Sequence, residues 1–264
     1  MNNDEEIEEG NDESKPRNRG VYLLPNLFTT AGLFAGFYAI VAAMAGRFDA
    51  AAIAIFVAMI MDGIDGRVAR LTNTQSAFGT EYDSLSDMVG FGLAPALVMY
   101  AWSLQYLADL GPAWGKLGWL VAFIYTACAA LRLARFNTKV ASADKHYFQG
   151  LPSPSAAAVL AGFVWLSVDW DWGGQEVRFV AAFLTIVMGL LMVSNVRYYS
   201  FKEFDFKKRV PYVAMLVIVL MLVVTNLNPP AVLFLGFTIY VVSGIVFTLR
   251  RRKSVLPTDP PGQG

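Results

Sequence analysis

Cysteine and histidine are almost missing from this chain. Cys128 and His146 occur once each, which excludes an intramolecular disulfide, a cysteine-based metal cage and any phosphoryl chemistry in which one imidazole attacks while a second acts as acid. Cys128 sits among small apolar residues in TACAALRLA, a setting for buried packing rather than for a reactive thiol. Charge is also scarce. Only 16% of residues are charged, the formal net charge is zero, and 56% are hydrophobic. Nothing in that balance points to nucleic acid as a partner. Between Val213 and Leu249 no acidic or basic residue occurs at all. The composition is that of an integral membrane protein.

The apolar segments predict an all-α, polytopic helical membrane protein with about eight transmembrane helices, over residues 22–45, 50–69, 83–107, 115–135, 153–169, 177–196, 211–227 and 229–249. Each is near the length a helix needs to cross about 30 Å of hydrocarbon. Six form a core within 21–200. Asn226, Asn228, Pro229 and Pro230 make a turn that folds the last two into a hairpin within 201–250, read as scaffold or as a lipid-facing or dimer-facing addition. Residues 1–20 read as a disordered acidic tail and not a signal peptide, and 251–264 as a basic and polar tail. The stretch YYSFKEFDFKKR is expected to lie on the inner headgroups. Of the 21 lysines and arginines, all but Arg47, Lys116 and Arg178 fall on one side of this arrangement, which makes both termini cytoplasmic. Trp102, Trp114, Trp170 and Trp172 mark the other face as an aromatic belt.

Residues 62–87, DGIDGRVARLTNTQSAFGTEYDSLSD, interrupt the apolar pattern with four aspartates and two arginines. Charge at membrane depth is costly and marks function. Asp62 and Asp65 are three apart, Asp83 and Asp87 four apart, so on helices each pair projects from one face and the two pairs can converge. Gly66 and Gly79 each lie one turn from an aspartate, Ala69 keeps its face small, and Arg70 can grip a phosphate with two parallel donors. This chemistry is divalent cations on carboxylates, holding a phosphorylated substrate. Span two enters from the outside near Asp49, which puts Asp62 about 20 Å down the helix, in the cytoplasmic third of the membrane.

The same stretch resembles the signature of the CDP-alcohol phosphotransferase family, D-x-x-D-G-x-x-A-R-x8-G-x3-D-x3-D, at Asp62, Asp65, Gly66, Ala69, Arg70, Gly79, Asp83 and Asp87 with every spacing kept. The resemblance covers roughly residues 21–200. It implies transfer of a phosphatidyl group from CDP-diacylglycerol to an alcohol, with release of CMP and no covalent enzyme intermediate. It also implies Mg2+ or Mn2+, two per site, held by Asp62, Asp65, Asp83 and Asp87, with Asp87 as the base. Gly66, Arg70 and Gly79 would then seat the CDP moiety. Asn26 and Thr29, on the first helix after Pro25, would touch the pyrophosphate or metal, a role that ordinary helix capping explains about as well.

RLARFN followed by FQGLPSPSAA is similar to the corresponding stretch of bacterial membrane-spanning phosphatidylserine synthases. That similarity implies L-serine as the alcohol, with Arg132, Arg135 and Asn137 on its carboxylate side. The bland alternative for the arginines is flanking positive charge, and for Ser153 or Ser155 a helix cap. Sibling enzymes of the family use glycerol 3-phosphate, inositol or choline instead. The implied setting is a bacterial inner membrane, with the site facing the cytoplasm and a homodimer as the assembly. An ion-coupled transporter would also use intramembrane carboxylates, but it predicts paired half-helices and an internal repeat. Neither is found.

Overall fold

A backbone that crosses hydrocarbon must satisfy its own hydrogen bonds, and short of a closed barrel only helices do so. The computed structural model describes residues 19–139, 147–199 and 212–253, and these are helical almost throughout. The acidic tail up to residue 18, His146, most of the YYSFKEFDFKKR stretch and the tail after residue 253 lie outside the described residues.

Helices α1 (Arg19–Met44) and α2 (Phe48–Leu71) form the first pair. Their turn is closed by Gly46 at φ +72°, with the Gly46 N–H donating to Ala43 O at 3.0 Å. The two helices meet on small residues. Ala35, Ala39, Ala42 and Ala43 of α1 and Ala51, Ala52, Ala54 and Ala58 of α2 are all buried, so the backbones approach closely, as helices do in lipid. Pro25 lies inside α1 rather than at its start, because the helix extends back to Arg19.

A continuous helical stretch follows, made of α3 (Ala77–Asp87), a π-helical turn (Met88–Leu93) and α4 (Ala94–Trp102). Ser76 caps α3, accepting from the Gly79 N–H at 3.0 Å. The apolar pattern begins this span at residue 83 and leaves 70–82 as a polar connection. Helix instead runs on to Leu71 and resumes at Ala77, since the polar residues there occupy exposed helix faces as the chain leaves the apolar layer. The π-turn has a packing partner. A Cβ on Gly36 of α1 would come within 2.8 Å of Gly90 Cα, so backbone meets backbone just past Asp87.

A 3-10 segment (Leu104–Leu110) leads to α5 (Pro112–Lys139), and α6 (Ser153–Asp169), α7 (Arg178–Val193), α8 (Tyr212–Leu227) and α9 (Pro229–Lys253) complete the helices among the described residues. Twelve residues of α6, from Ser153 to Ser167, are buried, which makes it the central helix. α9 is seated on it where a Cβ on Gly162 would stand 3.1 Å from Phe234 Cα. The C-terminal hairpin therefore joins the bundle through α9. One departure from an all-α chain is a two-stranded antiparallel ribbon, β1 (Tyr147–Gln149) on β2 (Arg197–Tyr199), with Phe148 opposite Tyr198. It is too short to leave a period-two signal. Gly150 follows it at φ +84°, and a Cβ there would collide with Met192 O.

Among the described residues, four helical stretches are long and apolar enough to cross a membrane: Leu24–Met44, Ala77–Trp102, Pro112–Thr138 and Pro229–Arg250. α6 and α7 are shorter and apolar. Large side chains stand exposed on their outer surfaces, among them Phe34, Phe123, Phe183 and Ile239, a surface for hydrocarbon rather than water. At the end away from the aspartates, Trp170 meets Trp172 at 5.2 Å, Trp114 meets Phe179 at 5.8 Å, and Arg178 lies 3.9 Å from Asp109.

Candidate metal centre and active site

Each acidic pair of the sequence lies on one helix, and the two helices turn their pairs toward each other. One carboxylate oxygen each from Asp62 of α2 and Asp83 and Asp87 of α3 lie within 4.8 Å of one another. Asp62 and Asp87 are close enough to share a hydrogen bond, and Asp83 adds a third negative charge beside them. Like charges this close repel strongly and are stable together only when a cation or proton intervenes. Oxygen-only donors at this spacing fit a hard divalent cation such as Mg2+ or Mn2+.

Asp65 is set apart from those three. It is 4% exposed and accepts from the Thr29 hydroxyl at 2.8 Å. Thr29 is thereby tied to an acidic residue of the signature, and its carbonyl accepts from the Ser86 hydroxyl at 3.1 Å. α1, α2, the end of α3 and the π-turn surround a small cavity between these groups, lined by Thr29, Gly32, Ala58, Asp62, Asp65, Ser86, Asp87, Gly90 and Phe91. The first helix is thus a wall of the site, held to both acidic helices.

The glycines of the signature serve two different ends. Beside Gly66 a Cβ would meet nothing within 4 Å, which leaves open space next to the aspartates, with Arg70 exposed on the following turn. Gly79 is tight instead. Its Cβ would stand 3.1 Å from Ser76 Oγ and 3.5 Å from Asn26 Oδ1, so Asn26 backs the start of α3. Thr30 and Tyr82 share a hydrogen bond of 2.9 Å, a second link between α1 and α3.

The two arginines of α5 part company. Arg132 Nη1 donates to Ser153 Oγ at 2.8 Å, and Ser153 is the fully buried first residue of α6. Arg132 Nε is buried and has no hydrogen-bond partner among the described residues. The charges of Asp87 and Asp62 act on its guanidinium. Arg135 turns elsewhere, donating to Gln149 Oε1 at 2.8 Å, Asn195 Oδ1 at 2.9 Å and Val193 O at 3.5 Å. It lashes the ribbon to the end of α7. Asn137 Nδ2 donates to Ser84 Oγ at 3.0 Å, clasping α5 to α3 beside Asp83. Cys128 is buried near Gly189, as a packing residue.

Sequence reasoning missed Ser86, Ser84, Tyr125 and Tyr240. Tyr125 is fully buried and donates to Phe91 O at 3.0 Å. Tyr240 of α9 stands within electrostatic range of Arg132. The two serines fall inside the signature stretch and could have been flagged there. The tyrosines sit in uniformly apolar runs that carry no such signal.

Fold and site together define a helical protein with apolar helices of membrane-crossing length, whose acidic cluster faces the guanidinium of Arg132. Residues 22–196 match the model of the CDP-alcohol phosphatidyltransferase family, and the chain belongs to that family. It is 36% identical over 228 residues to a CDP-diacylglycerol-serine O-phosphatidyltransferase of Helicobacter pylori, covering 86% of this chain and 91% of that relative. A Mycobacterium tuberculosis protein of the same name is 36% identical over 191 residues, 69% of this chain and 64% of its own length. An archaetidylserine synthase of Methanothermobacter thermautotrophicus is 33% identical over 177 residues, 66% of this chain and 69% of the relative.

Proposed function

We propose that this protein transfers the phosphatidyl group of CDP-diacylglycerol to L-serine, giving phosphatidylserine and CMP. The observation that carries the reading is the convergence of Asp62, Asp83 and Asp87 opposite Arg132. The relatives add a second support, because their names differ in the lipid while sharing serine. In the reaction the serine hydroxyl oxygen bonds to the β-phosphorus, the bond from that phosphorus to the CMP oxygen breaks, and CMP leaves.

Asp62, Asp83 and Asp87, with Asp65 beside them, are the residues that would hold Mg2+ or Mn2+. Bound there, such cations would supply positive charge to offset the negative charge of the pyrophosphate and the departing CMP. Asp87 accepts the proton of the serine hydroxyl. An aspartate is a weak base near neutral pH, so its contribution comes from position. Thr29 fixes Asp65, Gly66 leaves room for the nucleotide, Arg70 reaches its phosphates, and Asn26 and Gly79 shape the opposite wall. Arg132 holds the serine carboxylate. Ser153 joins its guanidinium to the N-terminus of α6, and a helix N-terminus adds a second positive locus for an anion. Arg135 and Asn137 hold the frame around this subsite.

The protein acts in a bacterial inner membrane, crossing it eight times with both termini in the cytoplasm and the site open to that side. Arginine and lysine placement supports this orientation, and the tryptophans at the far end of the bundle agree with it. A homodimer, as the family resemblance implies, would use part of the exposed apolar surface.

Purified protein given CDP-diacylglycerol with serine, glycerol 3-phosphate, inositol or choline is expected to release CMP with serine alone. Selective use of another alcohol moves the protein to a sibling activity. For Arg132→Ala, kcat/KM for serine is expected to fall about 10²-fold, the scale for removing one partner of a buried charge pair, while the KM for CDP-diacylglycerol stays within twofold. Arg135→Ala is expected to lower the melting temperature instead. Reversed phenotypes would exchange the two roles.

A further inference from the structure

α9 lies outside the family-matched residues 22–196, yet it reaches the acceptor side of the site. It approaches β2 at Gly244, where a Cβ would run into the ring of Tyr198. One turn earlier Tyr240 projects from the same face, and its ring lies 5.6 Å from that of Tyr198, tilted by 42°. Tyr198 is fully buried, and among the described residues its hydroxyl has no hydrogen-bond partner. Arg132 Nε is a second buried polar atom without a partner among them, and Tyr240 stands within electrostatic range of that guanidinium. Tyr125, the other tyrosine near Arg132, already donates its hydroxyl proton to Phe91 O.

Buried polar groups are rarely left unpaired, and each orphan calls for a partner. Here two of them flank Tyr240, one on Tyr198 and one on the arginine that faces the carboxylate cluster. A small hydroxy acid can supply the missing acceptor to Arg132 with one carboxylate oxygen and accept from a tyrosine hydroxyl with the other, which leaves its own hydroxyl free to face Asp87. A lipid tail would leave both orphans unmet.

We infer that Tyr240, with Tyr198 behind it, closes the acceptor-alcohol subsite beside Arg132, so that the C-terminal hairpin sets acceptor specificity in this chain. The inference rests on the reading of serine as acceptor. The hairpin then has a reason to be seated on α6, since its removal would open the subsite to water.

The test is steady-state kinetics on the full-length protein with CDP-diacylglycerol and serine. Tyr240→Phe keeps the ring against Tyr198 and removes only the hydroxyl. It is expected to raise the KM for serine about tenfold, the scale of one hydrogen bond to a charged group. The KM for CDP-diacylglycerol should stay within twofold and kcat at saturating serine should hold. Preference for serine over ethanolamine, which lacks the carboxylate, should narrow in the same variant. Tyr198→Phe is expected to move the serine KM in the same direction, and it decides the matter by the same split if Tyr240→Phe does not accumulate as folded protein. An unchanged serine KM, or equal rises for both substrates, overturns the inference. Failure of the parent protein to use serine at all would instead overturn the serine reading.

Discussion

Asp87→Asn is expected to leave a folded, membrane-inserted protein whose transfer of a phosphatidyl group to serine falls on the order of 10²–10⁴-fold, the range that a positioned acid or base contributes. Asparagine has nearly the same shape, so α3, the π-turn behind it and the backbone contact of Gly36 with Gly90 should persist. What disappears is the proposed proton acceptor and one of the three carboxylates that meet within 4.8 Å. The same change removes the nearer of the two aspartate charges acting on Arg132, leaving Asp62. CMP release from CDP-diacylglycerol and serine measures the loss, and the melting temperature of the detergent-solubilised protein monitors the fold. Near-normal CMP release would remove the base assignment.

Removal of divalent metal should be as damaging and, unlike the substitution, reversible. Three carboxylates held this close create a strongly negative locus, and the pyrophosphate of the lipid substrate adds charge of the same sign. Without cations the substrate cannot settle there, whatever else the cavity offers. Exhaustive chelation is therefore expected to lower activity by more than about 10²-fold, with Mg2+ or Mn2+ restoring it. A readout independent of turnover is available. Mn2+ added to the chelated protein should raise its melting temperature, because a ligand that binds only the folded state stabilises it by mass action. In Asp62→Asn and Asp83→Asn that rise should shrink. Full activity after chelation would mean that the acidic cluster serves some other end.

Much of the helical frame could be read from the sequence because apolar length and helix punctuation are local properties. Pro229 opens α9 where the turn cluster predicts it, and the acidic pairs at Asp62 with Asp65 and Asp83 with Asp87 lie on helices as their spacing requires. The start of α3, at Ala77 rather than residue 83, departs from the expected span for a physical reason. Where this helix leaves the apolar layer its faces become polar, and hydropathy reports the layer rather than the helix. Other features are tertiary in origin. The π-turn at Met88–Leu93 follows from the meeting of Gly36 and Gly90, and no local pattern announces it.

The site was legible to the same extent. Helical spacing indicated that the aspartates could converge, but not that Asp65 would be drawn aside by Thr29 while the other three gathered. Nor could it separate Arg132 from Arg135. Both sit at the end of α5, and only the partners Ser153 for one and Gln149 with Asn195 for the other distinguish them. Tyr240 was hidden most completely. It lies in an apolar run without charge, and its place beside Arg132 depends on the glycine at position 244 that lets α9 meet Tyr198.

The most direct test of the whole account is the position of a bound cation. Crystals of the protein grown with Mn2+ and measured at the manganese absorption edge are expected to give anomalous density bracketed by the carboxylates of Asp62, Asp83 and Asp87. Density elsewhere, or none between α2 and α3 at a Mn2+ concentration that supports full activity, would contradict it.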